Sequence, residues 1–146
     1  MVDLVLAILH HMLVFGLVAM LAIERALLRG DTIDAVRLAR LDAGFGATAG
    51  LVVAVGLCRV IWGGKGWAFY LENPFFWAKM GSFLALGLLS IAPTLLFLKW
   101  RKAAAGEAAF SPPAPELRRA RTWLGLEALL LIPLLASAAA MARWPF

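Results

Sequence analysis

The sequence is poor in cysteine and in charged residues. Cys58 is its single cysteine, which excludes an internal disulfide and any CxxC metal or redox motif. Charged residues fill 16% of the 146 positions, whereas a soluble domain carries roughly 25%. The two histidines belong to no HExxH motif, so a dedicated zinc site is not supported. With 63% hydrophobic residues, this composition indicates an integral membrane protein.

Four long apolar segments predict an all-α integral membrane protein, a bundle of four transmembrane helices forming one domain over residues 1–146. A helix needs about 20 apolar residues to cross a bilayer. The third segment has a 19-residue run without charge between Lys79 and Lys99. Asn73 suits its N-cap and Pro74 its first turn. The predicted spans are residues 2–28, 43–62, 74–100 and 117–143.

The segments between the spans carry turn signals and interfacial residues. A Gly-Asp-Thr sequence at 30–32 should end the first helix, with Asp31 or Thr32 as the N-cap of the next one. Residues 63–72 are glycine-rich and then aromatic, which is typical of a short loop or interfacial helix. Residues 106–115 form the proline-rich linker before the last span.

A stripe of small residues marks the second span. Gly46, Gly50 and Ala54 recur every four residues and should share one helix face. Such a stripe lets another helix backbone approach closely. The sequence therefore predicts a tight helix contact there, which Gly50→Leu should disrupt.

The distribution of lysine and arginine predicts the orientation in the membrane. Ten of the 14 lie in or beside the first and third connections, and cytoplasmic loops carry such an excess. Both termini should therefore lie outside the cytoplasm of a bacterial inner membrane. Because the cations flank apolar spans, the net charge of +5 indicates membrane topology and not nucleic-acid binding.

Polar residues inside the first span fall on one helix face. Asp3, His10, Leu17 and Glu24 are spaced by seven residues, which keeps them on a face that drifts by about 20° per step. Because lipid rejects polar groups, this face should point into the bundle. His10 is therefore better placed than His11 to face the interior.

Counting residues along the spans places four basic or titratable side chains at one depth. Helix rise is about 1.5 Å per residue, so His10, His11, Arg59 and Lys79 should share a layer in the outer leaflet. Apart from Asp3, no acid lies near them in sequence. This composition suits a bound anion or a ligand that carries carboxylates. The structural alternative is a histidine bonded across helices to Ser82 or to a carbonyl.

The cytoplasmic side contains charges of both signs. Glu24, Arg25, Asp42 and Arg121 lie near that interface, where they should form structural ion pairs. Glu127 lies deeper and has no partner assigned by the sequence. Three alternatives remain: it bonds to Thr48 or a buried cation, it stays protonated because burial disfavours the charged form, or it relays protons.

The chain resembles a bacterial family of small four-span membrane proteins that is defined only as a domain of unknown function. The resemblance implies the fold and the membrane location, and it implies no activity. It rests on LHH at 9–11, ER at 24–25, GLCRVIWGGKG at 56–66, ENPFFWAKM at 72–80 and APTLLFLKW at 92–100.

A second resemblance is to the HemJ-type protoporphyrinogen oxidases and the CopD-like membrane proteins. In that group a histidine in a Leu-His pair opens the first span and a lysine opens the third; Leu9-His10 and Lys79 occupy similar places here. The resemblance implies haem b or a porphyrin near these residues, with His10 as the metal ligand. Lys79 would be the opposite ligand or, with Arg59, a partner of the propionates.

Three functions remain open from the sequence. The first is a redox protein that binds haem or a porphyrin in the outer half of the bundle. The second is a non-enzymatic membrane subunit or assembly partner, which would associate with copies of itself or with another membrane subunit and whose polar cluster only holds helices together. The third is a CopD-like role in metal entry, but the chain lacks the methionine-rich strings expected for copper.

Overall fold

The computed structural model describes residues 1–107 and 109–145, which form helices and connections without a β-strand. Four helices are long and apolar enough to cross a membrane, which confirms the predicted all-α fold. A short fifth helix lies within residues 63–72, where a loop or interfacial helix was expected. The helices are α1 (Val2–Leu27), α2 (Ala35–Trp62), α3 (Gly66–Glu72), α4 (Pro74–Ala103) and α5 (Ala114–Ala142).

The start of α4 follows the sequence prediction. The side chain of Asn73 accepts a hydrogen bond of 3.0 Å from the backbone N–H of Phe75, and Pro74 fills the first turn. This bond satisfies one of the amide groups that a helix N-terminus leaves free. Asn73 also donates to the carbonyl of Met141 at 3.3 Å. The cap therefore ties the start of α4 to the end of α5.

The start of α2 differs from the prediction. Asp34, and neither Asp31 nor Thr32, is the N-cap; its carboxylate accepts from the N–H of Arg37 at 2.9 Å. Ile33 pairs with Phe110 in an antiparallel bridge, so the chain is not yet helical at Ile33 and α2 starts only after Asp34. Residues 35–42 are consequently the first turns of α2, which begins before the predicted span of residues 43–62.

The four long helices form a bundle in which each contacts two neighbours. Among the described residues, α1 packs on α2 and α5, and α4 packs on the same two helices. α1 and α4 are therefore diagonal partners, as are α2 and α5. We call the end with both termini and α3 the terminal end, and the end with residues 28–34 and 104–113 the linker end.

The apolar core fills the linker half of the bundle. Its residues interdigitate with almost no exposed surface, and packing of this kind stabilises helix association where the surrounding lipid is equally apolar. The terminal half has fewer such residues, which leaves space for a cavity. The largest buried side chains of the core are Leu21, Leu28, Leu38, Phe97, Trp100 and Leu124.

The small-residue stripe of α2 does not mediate a contact within the bundle, so this prediction was wrong. Gly46, Gly50 and Ala54 are exposed. A Cβ added at either glycine would meet no atom within 4 Å. The stripe repeats every four residues and so defines a face, but the other helices pack on a different face of α2.

We therefore expect Gly50→Leu to leave the bundle intact. The added side chain meets open space, and glycine in a helix costs roughly 0.5–1 kcal/mol relative to alanine. The melting temperature in detergent should stay the same or rise slightly. Phe97→Ala is the comparison, since Phe97 is fully buried and its truncation should cost about 3–5 kcal/mol. A loss for Gly50→Leu close to that of Phe97→Ala would show that the stripe is covered.

Candidate functional site

His10, Arg59 and Lys79 line one cavity in the terminal half of the bundle. They come from α1, α2 and α4 respectively. The cavity has a volume of about 100 Å³, and Met141 of α5 also reaches it. We call it the terminal cavity. The structure thus brings together three of the four residues that were predicted to share a layer from their positions along the spans.

The position of His10 follows from the local sequence of α1 and α2. His10 lies on the buried face of α1 with Leu17 and Glu24, as the seven-residue spacing predicted, and its side chain is 7% exposed. Gly56 of α2 faces the imidazole: a Cβ at Gly56 would lie 3.5 Å from Cε1 of His10. The absence of a side chain at that position leaves room for the ring.

The terminal cavity carries positive charge that no acid among the described residues balances. Arg59 and Lys79 interact electrostatically with His10 and with each other. Within residues 1–107 and 109–145, neither cation forms an ion pair or a side-chain hydrogen bond. Asp3 lies beside Gly63 at the end of α2 and does not pair with Arg59. Two desolvated cations without a counter-charge favour an anionic ligand.

Two buried nitrogen atoms at this site have no hydrogen-bond partner in the described part of the chain. They are Nδ1 of His10 and Nε of Arg59. Buried polar atoms are nearly always paired, so an unpaired one calls for a specific explanation. Ser82, one alternative partner considered for the histidines, donates instead to the carbonyl of Ala78 at 2.8 Å. The other alternative, a backbone group across the helices, applies in part: the Val52 backbone on α2 interacts with the His10 imidazole, while Nδ1 stays unpaired.

His11 lies outside the terminal cavity. Its side chain is exposed, and its Nδ1 donates to the carbonyl of Ala7 at 2.6 Å. Its ring centroid lies 6.4 Å from that of His10. Neighbouring residues on a helix point about 100° apart, which explains why only one of the pair faces inward.

The remaining wall of the terminal cavity is apolar and reaches the outside of the bundle. Tyr70 of α3 and Phe83 of α4 line its inner side. Val53 and Leu57 of α2 and Met80 of α4 also line it, and these three side chains are exposed. The cavity therefore opens between α2 and α4 at a surface of apolar side chains.

A second polar group, the carboxyl cluster, lies in the linker half. It consists of Glu24 on α1, Asp42 on α2 and Glu127 on α5, whose side chains are buried and interact electrostatically. Thr94 of α4 donates to Asp42 Oδ1 at 3.0 Å. From the sequence, Glu24 and Asp42 were expected at the same interface, but Glu127 was not connected with them, although a lone acid in an apolar span was a signal for a buried polar site.

The predicted ion pairs among Glu24, Arg25, Asp42 and Arg121 were wrong. Arg25 Nη1 donates to the carbonyl of Leu124 at 3.3 Å, and the guanidinium of Arg121 donates to carbonyls at the end of α1. The carbonyls that Arg121 binds lie at or just beyond the C-cap of α1, where no further helical turn supplies a partner, whereas the Leu124 carbonyl that Arg25 binds lies within α5. Both arginines are therefore held by backbone carbonyls and not by the acids.

Nothing in this arrangement forms a ready metal centre. In the described ranges, no three histidine, cysteine, aspartate or glutamate side chains converge in a way that could hold a metal ion. Among the cavity residues named above, His10 is the one that belongs to this set of four residue types. Any metal bound there would need most of its ligands from elsewhere, as the iron of a haem has from its porphyrin.

Comparison with known proteins identifies a family and no activity. The family model described as "Predicted membrane protein (DUF2214)" matches residues 2–144. No curated protein and no solved structure is significantly similar to the chain. The resemblance to HemJ-type and CopD-like proteins therefore has no support from these comparisons, and the function has to be argued from the geometry.

Proposed function

The chain belongs to the DUF2214 family of predicted membrane proteins, and because this description names no activity, we propose a function from the terminal cavity. The protein binds an apolar ligand that carries one or more carboxylates. The observation that supports this most directly is the pair of unbalanced cations, Arg59 and Lys79, at an otherwise apolar cavity.

The two parts of the cavity correspond to two parts of such a ligand. A carboxylate accepts charge-assisted hydrogen bonds from Arg59 and Lys79, which are stronger than bonds between neutral groups. The apolar body of the ligand contacts Phe83 and Met80. Because the opening lies among exposed apolar side chains of α2 and α4, the ligand enters from the lipid.

A b-type haem or a porphyrin is the second candidate, and the unpaired Nδ1 of His10 favours it. The donor set fits: an imidazole nitrogen for the iron and two cations for the propionates. The volume of the terminal cavity does not fit, because about 100 Å³ is well below the roughly 300–1,000 Å³ of pockets that enclose drug-sized ligands. The terminal cavity holds a carboxylate-bearing end of the ligand but does not enclose a tetrapyrrole ring.

Titration with three carboxylate-bearing compounds tests the proposal. Purified protein in lipid nanodiscs is titrated with haemin, metal-free protoporphyrin and a fluorescent fatty acid. We expect Lys79→Ala and Arg59→Ala to weaken binding about 10- to 100-fold each, since a charge-assisted hydrogen bond contributes roughly 1.5–3 kcal/mol. His11→Ala and Lys65→Ala are the controls; both positions are exposed and should leave binding unchanged.

The pattern across the three compounds separates the candidates. Binding of all three that depends on Lys79 and Arg59 supports a general carboxylate site. A Soret band that shifts on reduction and disappears in His10→Ala supports haem. If none of the compounds binds, both proposals fail and the chain is better regarded as a non-enzymatic subunit or assembly partner, with the exposed stripe around Gly50 available for another helix.

We also propose that the protein lies in a bacterial inner membrane with the linker end in the cytoplasm, on the basis of its lysine and arginine distribution. A Cys58→Ala background allows single cysteines to be added as Lys65→Cys and Glu107→Cys. An impermeant maleimide on intact cells should label the first and reach the second only after lysis. Labelling in the opposite order would reverse the orientation.

A further inference from the structure

The carboxyl cluster of the linker half has no role in the proposed ligand site. Glu24 and Glu127 are each 1% exposed. Oε1 of each is buried without a hydrogen-bond partner among the described residues. Asp42 is paired with the hydroxyl of Thr94, which offsets little of a full charge. An ionised carboxylate in such a place is very costly unless something neutralises it.

No side chain packed against the cluster neutralises it in the described part of the chain. α1 contributes Arg25 and α5 contributes Arg121, but both guanidinium groups donate to backbone carbonyls. α2 contributes only the acid Asp42, and α4 contributes the uncharged Thr94. If they were ionised, the three carboxyls would need a positive charge that no described side chain supplies.

A second cavity lies one helical turn from two of these carboxyls, and we call it the linker cavity. It has a volume of about 240 Å³ and is lined by Arg25, Leu28, Arg29, Arg121 and Leu124. Leu28 follows Glu24 by four residues and Leu124 precedes Glu127 by three, a rise of about 5–6 Å. A water molecule needs about 30 Å³, so the linker cavity has room for several waters close to the acids.

We propose that Glu24, Asp42 and Glu127 form a proton-binding site that exchanges protons with water in the linker cavity. A carboxylate oxygen accepts a proton from a hydronium ion, an O–H bond forms and a water molecule is released. No electrons are transferred. The bound proton replaces the missing cation, and its O–H group can donate to the unpaired oxygen of a neighbouring carboxyl. A metal ion fits less well, because the acids do not converge as ligands.

Infrared spectroscopy of the reconstituted protein tests this site without requiring a reagent to reach it. A protonated carboxyl has a C=O stretching band that its ionised form lacks. We expect this band near neutral pH, with reversible loss as the pH is raised. The double variant Glu24→Gln/Glu127→Gln should lose most of it. Glu107→Gln is the matched control, because Glu107 is exposed and should not contribute.

Reaction with dicyclohexylcarbodiimide then identifies the protonated residues in the parent protein. The acid proton moves to the carbodiimide nitrogen, the carboxylate adds to the central carbon, and rearrangement gives a stable N-acylurea that peptide mass spectrometry detects. Modification of Glu24 or Glu127 near neutral pH and its loss in alkaline buffer would support the proposal, even if the double variant does not fold.

Three infrared outcomes would overturn the proposal. They are the absence of the band in the parent protein near neutral pH, a band that persists without titrating, and a band that remains in a folded double variant. The first would mean that the acids are ionised and hold a cation. The second would mean that their protons are locked in place, and the third that the protonated groups lie elsewhere.

Discussion

Replacing Arg121 with alanine should destabilise the bundle more than the loss of any exposed arginine that lacks such contacts. The guanidinium donates to the carbonyls of Leu28 at 2.7 Å, Gly30 at 3.0 Å and Arg29 at 3.2 Å. It thereby closes the C-terminal end of α1 and holds it against α5. A hydrogen bond to a charged group contributes roughly 1.5–3 kcal/mol. Because the three bonds share one side chain, we expect a loss of about 2–4 kcal/mol.

Thermal unfolding in one detergent, followed by circular dichroism, provides the measurement. Arg118→Ala is the matched control: Arg118 lies on the same helix, is exposed and makes no side-chain hydrogen bond with the described residues. Arg121→Lys should fall between the two, because an ammonium group cannot reproduce the planar fork of donors. Equal melting temperatures for Arg121→Ala and Arg118→Ala would contradict the structural role of these bonds.

The fold could be predicted at positions where the residue type is compatible with only one structural role. Between Lys79 and Lys99, the run without charge has the length of a membrane-spanning helix, and Asn73 followed by Pro74 marks its start. The N-cap of α2 was not predictable in the same way. Asp31, Thr32 and Asp34 are all suitable caps, and the choice depends on a bridge to Phe110, which is distant in sequence.

The glycine stripe of α2 illustrates a limit of periodicity. Spacing assigns Gly46 and Gly50 to one face, but the direction in which that face points depends on the packing of the other helices. The same limit did not affect α1, because its face carries His10 and Glu24. Polar groups avoid lipid, so their burial could be inferred, whereas glycine is compatible with either environment.

The terminal cavity was largely predictable and the carboxyl cluster was not. Residue counts along the spans placed His10, Arg59 and Lys79 at one depth, and in the structure they line one cavity. For the acids, the position along each span suggested which side chains could pair. It did not give the rotation of each helix about its axis, which decides whether two side chains meet. The backbone carbonyls at the end of α1, which attract Arg121, carry no sequence signal, because every residue has one.

Replacing Glu127 with methionine should stabilise the protein, although most substitutions of a buried residue destabilise. Glu127 is almost completely buried, one of its oxygens has no partner among the described residues, and Glu24 and Asp42 lie within electrostatic range. A buried polar group without a hydrogen bond costs about 1–3 kcal/mol in proteins. Methionine has a similar length and adapts to irregular space, so the removal of this cost should not leave a large cavity.

The expected gain is about 1–3 kcal/mol, seen as a higher melting temperature in the assay used for Arg121. Glu127→Gln is the comparison, because it removes the charge but keeps a buried polar group, and it should gain less. A clear loss for Glu127→Met would mean that the carboxyl makes bonds the bundle needs. A gain would mean that Glu127 lowers the stability of the folded bundle, as functional groups often do, which is consistent with a proton-binding site and difficult to explain for a purely structural residue.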